Sequence, residues 1–251
     1  MSENVVITER HGRVALIRMN RPQARNALNA ALSQGIVDAM AACQDAGCIV
    51  ITGADPAFSA GLDLKNLGVE NLADLPSASG AVGSSKTPLI AAVNGAAVTG
   101  GFEIALGCDF IVASEKAVFA DTHVRVGVFP GPVLVDLPRR VGMAKAREMS
   151  MTGNFVDAQT AYRIGLANHL VAHDDLLPFC MKLAADIAEQ DKAMITGMRE
   201  DWDQTHLLPL AEARRIHYAY RVSGGWNNRT GADIAGRRET VLARSKDQRA
   251  G

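Results

Sequence analysis

The sequence predicts an α/β fold in which strand–helix units stack as successive turns, and three observations carry that prediction. Apolar runs of strand length, at 48–52 and 89–93, are each broken by a glycine-containing turn and lead toward helical patterns. The alternation repeats in units of about 40 residues, the pattern of a β/α core. From Asp174 onward the chain reads as helix with no strand of its own, a segment suited to dock on the core or on a neighbouring subunit. No linker marks two independent domains. The expected division is therefore a core over 1–190 and a dependent helical region over 191–251.

The elements follow in order. Stretches 5–8 and 14–19 read as a hairpin around Arg10-His11-Gly12, and Asn20-Arg21-Pro22 closes it. Asn26 is placed to cap a helix over 27–44, whose apolar positions Leu28, Leu32, Ile36, Val37 and Met40 keep helical spacing. A buried strand over 48–52 ends at Gly53, and FSAGLDLK (58–65) follows at its carboxyl end, where open α/β folds place their sites. Stretch 66–86, rich in Gly, Ser, Ala and Asp, has weak periodicity and is expected to reshape on binding. After strand 89–93, the small-residue stretch 96–99 reads as a loop, and a short helix over 102–106 stops at Gly107. Strands at 110–113 and 117–119, a polar loop at 121–125 and a turn-rich segment at 127–132 come next. Helical patterns occupy 133–140, 144–151 and 158–163, a last strand 165–171, and further helices 176–189, 194–204, 210–220 and 232–244.

The 251 residues suffice for a substantial core, and 48% apolar with 21% charged residues is ordinary for a soluble globular protein. A net charge of -1 offers no bulk attraction for nucleic acid or an anionic membrane. The N-terminal residues are too polar for a signal peptide, and no apolar run approaches the roughly 20 residues of a membrane helix. Cys43, Cys48, Cys108 and Cys180 form no Cys-x-x-Cys pair and no metal-site pattern, which points to reduced core thiols in a cytoplasmic protein and to no metal or cofactor.

The chemistry concentrates around the strand, glycine loop and helix start at 89–109. A helix N-terminus there offers unpaired N–H groups to negative charge, and Glu103 adds a carboxylate in its first turn. Alone, Gly100-Gly101 fits close packing as well as catalysis, and it is neither G-x-G-x-x-G nor a phosphate-binding loop. Glu103, flanked by Phe102, Ile104, Ala105 and Leu106, is a carboxylate in an apolar stretch, and such groups are rarely buried without a task. His123, in a polar loop, reads by default as a surface histidine, and Asp63 and Lys65 as a solvated pair. Ser59 lacks the G-x-S-x-G frame of a nucleophile elbow.

Two segments change this balance. FSAGLDLK (58–65) and AAVNGAAVTGGFEIALGCD (91–109) closely resemble the signatures of the crotonase, or enoyl-CoA hydratase/isomerase, superfamily. Supporting matches are VALIRMNRPQARNALN (14–29), KTPLIAAVNG (86–95), VGVFPG (126–131) and GADIAGRRE (231–239). The resemblance implies a spiral of ββα turns with a C-terminal helical trimerisation region, assembled as a homotrimer or a dimer of trimers, and a coenzyme A thioester as substrate. It places the two oxyanion-hole amides on Ala60 and Gly100, and substrate contacts on Ala24, Arg25, Ser59, Gly61, Leu62, Asp63, Leu64 and Gly101. Thr99 stands where the family carries the first of three glycines.

Of the family's two catalytic glutamates, the first falls on Glu103 and the second on His123. That departure leaves the hydratase pair incomplete, although a histidine can act as acid or base near neutral pH. The leading reading is an enoyl-CoA hydratase-like lyase of lipid metabolism with Glu103 and His123 as its acid/base groups. The alternatives are isomerase or other enolate chemistry through His123, and a non-catalytic acyl-CoA-binding protein.

Overall fold

Successive residues of the buried strands point into two different cores. In β2 (Val14–Met19), Val14 and Leu16 face one side, while Ala15 and Ile17 face the other. β3 (Cys48–Gly53) repeats the division with Cys48 and Val50 against Ile49 and Ile51. A parallel sheet covered on both faces needs apolar residues at every position, which is why these strands read as unbroken apolar runs. The computed structural model describes residues 4–63 and 75–226, together with 231, 235–238, 241–243 and 245.

The chain divides into two compact units, Met1–Lys192 and Ala193–Gly251. In the first, β1 (Val6–His11) pairs antiparallel with β2. The strand continues through His11, so the hairpin turn falls one residue later than the sequence suggests. β3, β5 (Leu89–Val93), β7 (Phe110–Ser114) and β10 (His169–Val171) then add in parallel, giving the order β1-β2-β3-β5-β7-β10. A second sheet has the order β4-β6-β8-β9, from β4 (Ala57–Ser59), β6 (Ala96–Val98), β8 (Val118–Ala120) and β9 (Val156–Asp157). Each turn of the chain gives one strand to each sheet: β3 then β4, β5 then β6, β7 then β8. This is the spiral of ββα turns.

The three-residue strands β4 and β6 are too short to show a period of two, which is why 96–99 reads as a loop and no strand is expected at 57–59. They matter because each carries the chain from the large sheet to the place where a helix or site loop begins.

Helix α1 (Ala30–Ala42) is shorter than the 27–44 span predicted, and its cap is Asn29, whose side chain accepts a hydrogen bond from Leu32 N–H. Asn26 has another task. It is fully buried at φ 53°, accepts from Arg21 N–H, and donates to the carbonyls of Ala54 and Ala57. It thereby ties the hairpin exit to the β3–β4 turn. Asn29→Ala should cost about 1 kcal/mol of stability, measured as a shift in the urea midpoint at unchanged slope. An unshifted midpoint would deny the cap its role.

α2 (Ala78–Gly83), capped by Ser77, lies within the stretch expected to reshape, of which residues 64–74 are outside those described. α8 (Leu176–Ala188) covers the outer face of the large sheet with Leu176, Cys180, Ala184 and Ala188. All four cysteines are buried, and none forms a disulfide.

In the second unit, α9 (Lys192–Thr205) and α10 (Leu210–Ser223) continue the helical run. His217 Nδ1 lies 2.6 Å from Asp201, and the Tyr220 hydroxyl donates to Glu200 at 2.8 Å. Of the helix predicted over 232–244, residues 232–234, 239, 240 and 244 lie outside those described. Among the described residues no helix is long and apolar enough to cross a membrane.

Candidate active site

The site grows from the passage β5–β6–α3, where α3 (Gly100–Leu106) starts two residues earlier than its apolar pattern suggests. Thr99 precedes it with φ 45° and ψ -116°, a strained conformation for a β-branched residue. Its N–H donates to the Ala120 carbonyl of β8 at 3.0 Å, which helps hold the turn. Two glycines make the close packing possible. A Cβ on Gly101 would lie 2.5 Å from the Ser59 carbonyl oxygen, and one on Gly61 would lie 1.8 Å from Thr99 Oγ1, with Gly61 at φ 86°. The two signature segments therefore touch at backbone level. At the far end of α3, Arg140 of α5 (Val133–Val141) donates to the carbonyls of Leu106, at 2.9 Å, and Cys108. The helix is fixed at both ends.

Glu103 is 8% exposed, and its Oε1 accepts from Gly131 N–H at 3.0 Å and, more weakly, from Val133 N–H at 3.5 Å. Burial pushes the Glu103 carboxyl up from the usual carboxylate range, against the opposing pull of His123 and of those two amides. Such a group is suited to gain and lose a proton during a reaction.

The polar loop predicted at 121–125 is a loop only at Asp121 and Thr122, just past β8; a short helix, α4 (His123–Val126), takes over from there. His123 is 4% exposed rather than a surface residue, and Asp121 is fully buried. Asp121 Oδ1 lies 2.6 Å from His123 Nδ1 and also accepts, at 3.4 Å, from the His123 backbone N–H. Burial alone would raise the Asp121 carboxyl. Hydrogen bonding to His123 and the nearby Ser150 hydroxyl outweigh it and hold the group below its usual range. Asp121 Oδ2 has no hydrogen-bond partner among the described residues. Arg125 turns away, to the Thr152 carbonyl and Asn154.

A cavity of about 270 Å³ brings together Leu28, Leu62, Gly100, Glu103, His123 and Phe129, with Ser33 and the start of α2 along another wall. Gly100 N–H, at the first position of α3, meets no acceptor among the described residues. The Ala60 amide, expected as the second donor, is engaged inside the chain: its N–H donates to the Arg25 carbonyl at 3.0 Å. The amide on the cavity is instead that of Leu62. Leu28 N–H donates to Gly61 O, and Asp63 N–H donates to Leu28 O, closing a parallel bridge around Leu62. In such a bridge the central residue's own N–H points the opposite way. Nothing among the described residues accepts from Leu62 N–H, and Leu62 lines the cavity. Along 60–63 the amides of Ala60, Gly61 and Asp63 find acceptors within the chain and that of Leu62 does not, a difference visible only once Leu28 is paired.

The remaining expected contacts form the frame rather than the lining. Ser59 Oγ donates to Asn26 O and accepts from Gly61 N–H. Asp63 pairs with Arg21 at 3.2 Å, and Lys65 lies outside the described residues. Gly61 and Gly101 supply close approach. Ala24 ends a short 3-10 helix, Pro22–Ala24, and the exposed Arg25 caps it; neither is among the residues that line the cavity. Leu64 lies outside the described residues.

With this geometry in hand, residues 9–223 match the family model described as enoyl-CoA hydratase/isomerase. A probable enoyl-CoA hydratase of Rhizobium meliloti is 40% identical over 225 residues, which is 86% of this chain and 88% of that protein. The crystal structure of an enoyl-CoA hydratase from Mycobacterium avium superposes with a TM-score of 0.71 at 41% identity, covering 88% of this chain and 99% of the other. The enoyl-CoA hydratase of Bacillus anthracis, at 26% identity, superposes with a TM-score of 0.79 over 86% of this chain and 89% of its own.

Proposed function

The chain belongs to the enoyl-CoA hydratase/isomerase family, and on that premise we propose that it adds water to the double bond of a trans-2-enoyl-CoA thioester. The observation that carries this reading is the convergence of two unpaired amides, a buried carboxyl and a buried imidazole on one cavity. The thioester carbonyl sits between Gly100 N–H and Leu62 N–H. As the water oxygen bonds to Cβ, the double-bond electrons move toward the carbonyl, and the two amides stabilise the charge that develops on its oxygen. Cα then takes a proton, so that one water is added in all. Glu103 and His123 carry the proton off the water and onto Cα. Ala24 and the exposed Arg25 are proposed contacts of the coenzyme A portion, and no cofactor takes part.

Exposed apolar side chains on the first unit, among them Phe129, Met143, Met151 and Phe155, support assembly as a homotrimer or a dimer of trimers. Buried cysteines without disulfides suit a reducing compartment such as the cytoplasm.

The replacement of the second family carboxylate by His123 favours one competing reading, double-bond migration through the same enolate. Hydration of short and medium trans-2-enoyl-CoAs, followed by loss of the conjugated thioester absorbance, is the expected activity. Turnover confined to β,γ-unsaturated acyl-CoAs would transfer the assignment to isomerisation. Binding of acyl-CoA without turnover of either would reduce the protein to a carrier. His123→Ala is expected to lower hydration by on the order of 10²-fold; an unaltered rate would remove His123 from the pair.

A further inference from the structure

We propose that Asp121 is a positioning residue, locking the His123 ring in the tautomer that offers Nε2, and not Nδ1, to the reacting acyl group. The proposal rests on the reading of His123 as the second proton-handling group, and it concerns what makes a histidine competent there.

Three observations carry it. One carboxylate oxygen of Asp121 receives both the backbone N–H and Nδ1 of His123, at 3.4 and 2.6 Å. The i,i+2 spacing across the end of β8 and the first residue of α4 makes this double engagement possible, so the contact is built into the backbone. Second, Asp121 has no exposure to solvent and His123 almost none, so water does not compete for either partner. Third, the carboxyl is held in its ionised form by His123 and by Ser150 of α6 (Met143–Thr152).

An ionised carboxylate only accepts hydrogen bonds, so the proton between the two groups belongs to Nδ1. In the neutral ring Nε2 is then the bare nitrogen. The groups facing this pair are Glu103 from α3 and Ser150 from α6, while Arg125 on the same short helix is engaged with Thr152 and Asn154. His123 thus stands between a fixed acceptor behind it and the cavity it lines. Nε2 takes a proton in one direction of the reaction and returns it in the other. The buried Asp121 carboxylate stabilises the imidazolium in between. A glutamate needs no such support, and the dyad is the structural condition for histidine at this position.

The test begins without substrate. Histidine-selective ¹⁵N labelling, recorded where the ring is neutral and assigned by loss of the signal in His123→Ala, is expected to show Nδ1 protonated and Nε2 bare. The opposite tautomer in the parent protein overturns the proposal. Asp121→Asn offers an amide that can donate to Nδ1, so the ring proton should move to Nε2. Its kcat is expected to fall on the order of 10²-fold, the low end of a positioned acid or base contribution, with KM little changed. Asp121→Glu, which keeps an ionised acceptor, should restore part of that loss. Parent-like kcat in a folded Asp121→Asn variant also overturns the proposal. Where that variant does not fold, the parent spectrum decides. A parent that shows the expected tautomer but hydrates no enoyl-CoA defeats the functional reading and leaves the dyad standing.

Discussion

Exchanging Glu103 for Gln is expected to lower kcat/KM for enoyl-CoA hydration by about 10²–10⁴-fold, the share that a positioned acid or base contributes. The fold should be untouched. Gln keeps the shape of the side chain and an oxygen acceptor for the Gly131 amide, so the only function removed is the ability to exchange a proton. The effect on stability has a definite sign. Burial raises the Glu103 carboxyl above its unfolded value, so the folded state binds the proton more tightly than the unfolded chain does. Stability therefore declines as pH rises from the ordinary carboxylate range through the folded-state value, and the ionised group is a net cost above that window. The Gln variant lacks this slope. Thermal melts from acidic to neutral pH should show the variant gaining on the parent as pH climbs, while steady-state assays show its activity nearly gone. Rates equal to the parent's would sink both the role of Glu103 and the hydratase reading.

That pairing of stability gained with activity lost is what a residue placed for chemistry produces, and it bears on what the sequence can disclose. Glu103 was legible because a carboxylate inside FEIAL contradicts its surroundings. The long parallel strands were legible for the opposite reason: burial on both faces leaves continuous apolar runs such as 48–52 and 89–93. Short elements escaped. β4 and β6 have three residues each, fewer than any periodicity needs, and α4 has four. Asn26 and Asn29 are equally good caps by composition. The pairing of Asn26 with Ala54 and Ala57 across the chain, and of Asn29 with Leu32 N–H, assigns the cap to Asn29. The oxyanion donors show the same limit. Backbone amides have no identity in the sequence, so the choice between Ala60 and Leu62 waited on the Leu28 bridge. The position of His123 came from the motif register, but its burial came from Asp121, whose two-residue spacing gave no sign that the pair would close on itself.

The contact between the two signature segments sets the last expected result. Gly61 lies immediately before Leu62 and Thr99 immediately before Gly100, the two proposed donors, so their approach fixes how far apart the two amides stand. A methyl at Gly61 would meet Thr99 Oγ1 at 1.8 Å and the Val98 carbonyl oxygen at 2.7 Å, at a backbone φ of 86° that favours glycine. Gly61→Ala must therefore push the segments apart. The expected cost is that of losing one oxyanion donor, about 10²–10³-fold in kcat. KM should change far less, because the donors act most strongly when negative charge has developed on the oxygen. Adding Thr99→Gly removes the shorter clash and the strained φ of 45°, but leaves the Val98 oxygen in the way. The double variant should regain part of the lost rate and not all of it. Full recovery would mean that Thr99 alone sets the gap. Parent-like kcat in Gly61→Ala would show that the spacing of Leu62 and Gly100 does not govern the reaction, and the donor pair would have to be sought elsewhere in the cavity.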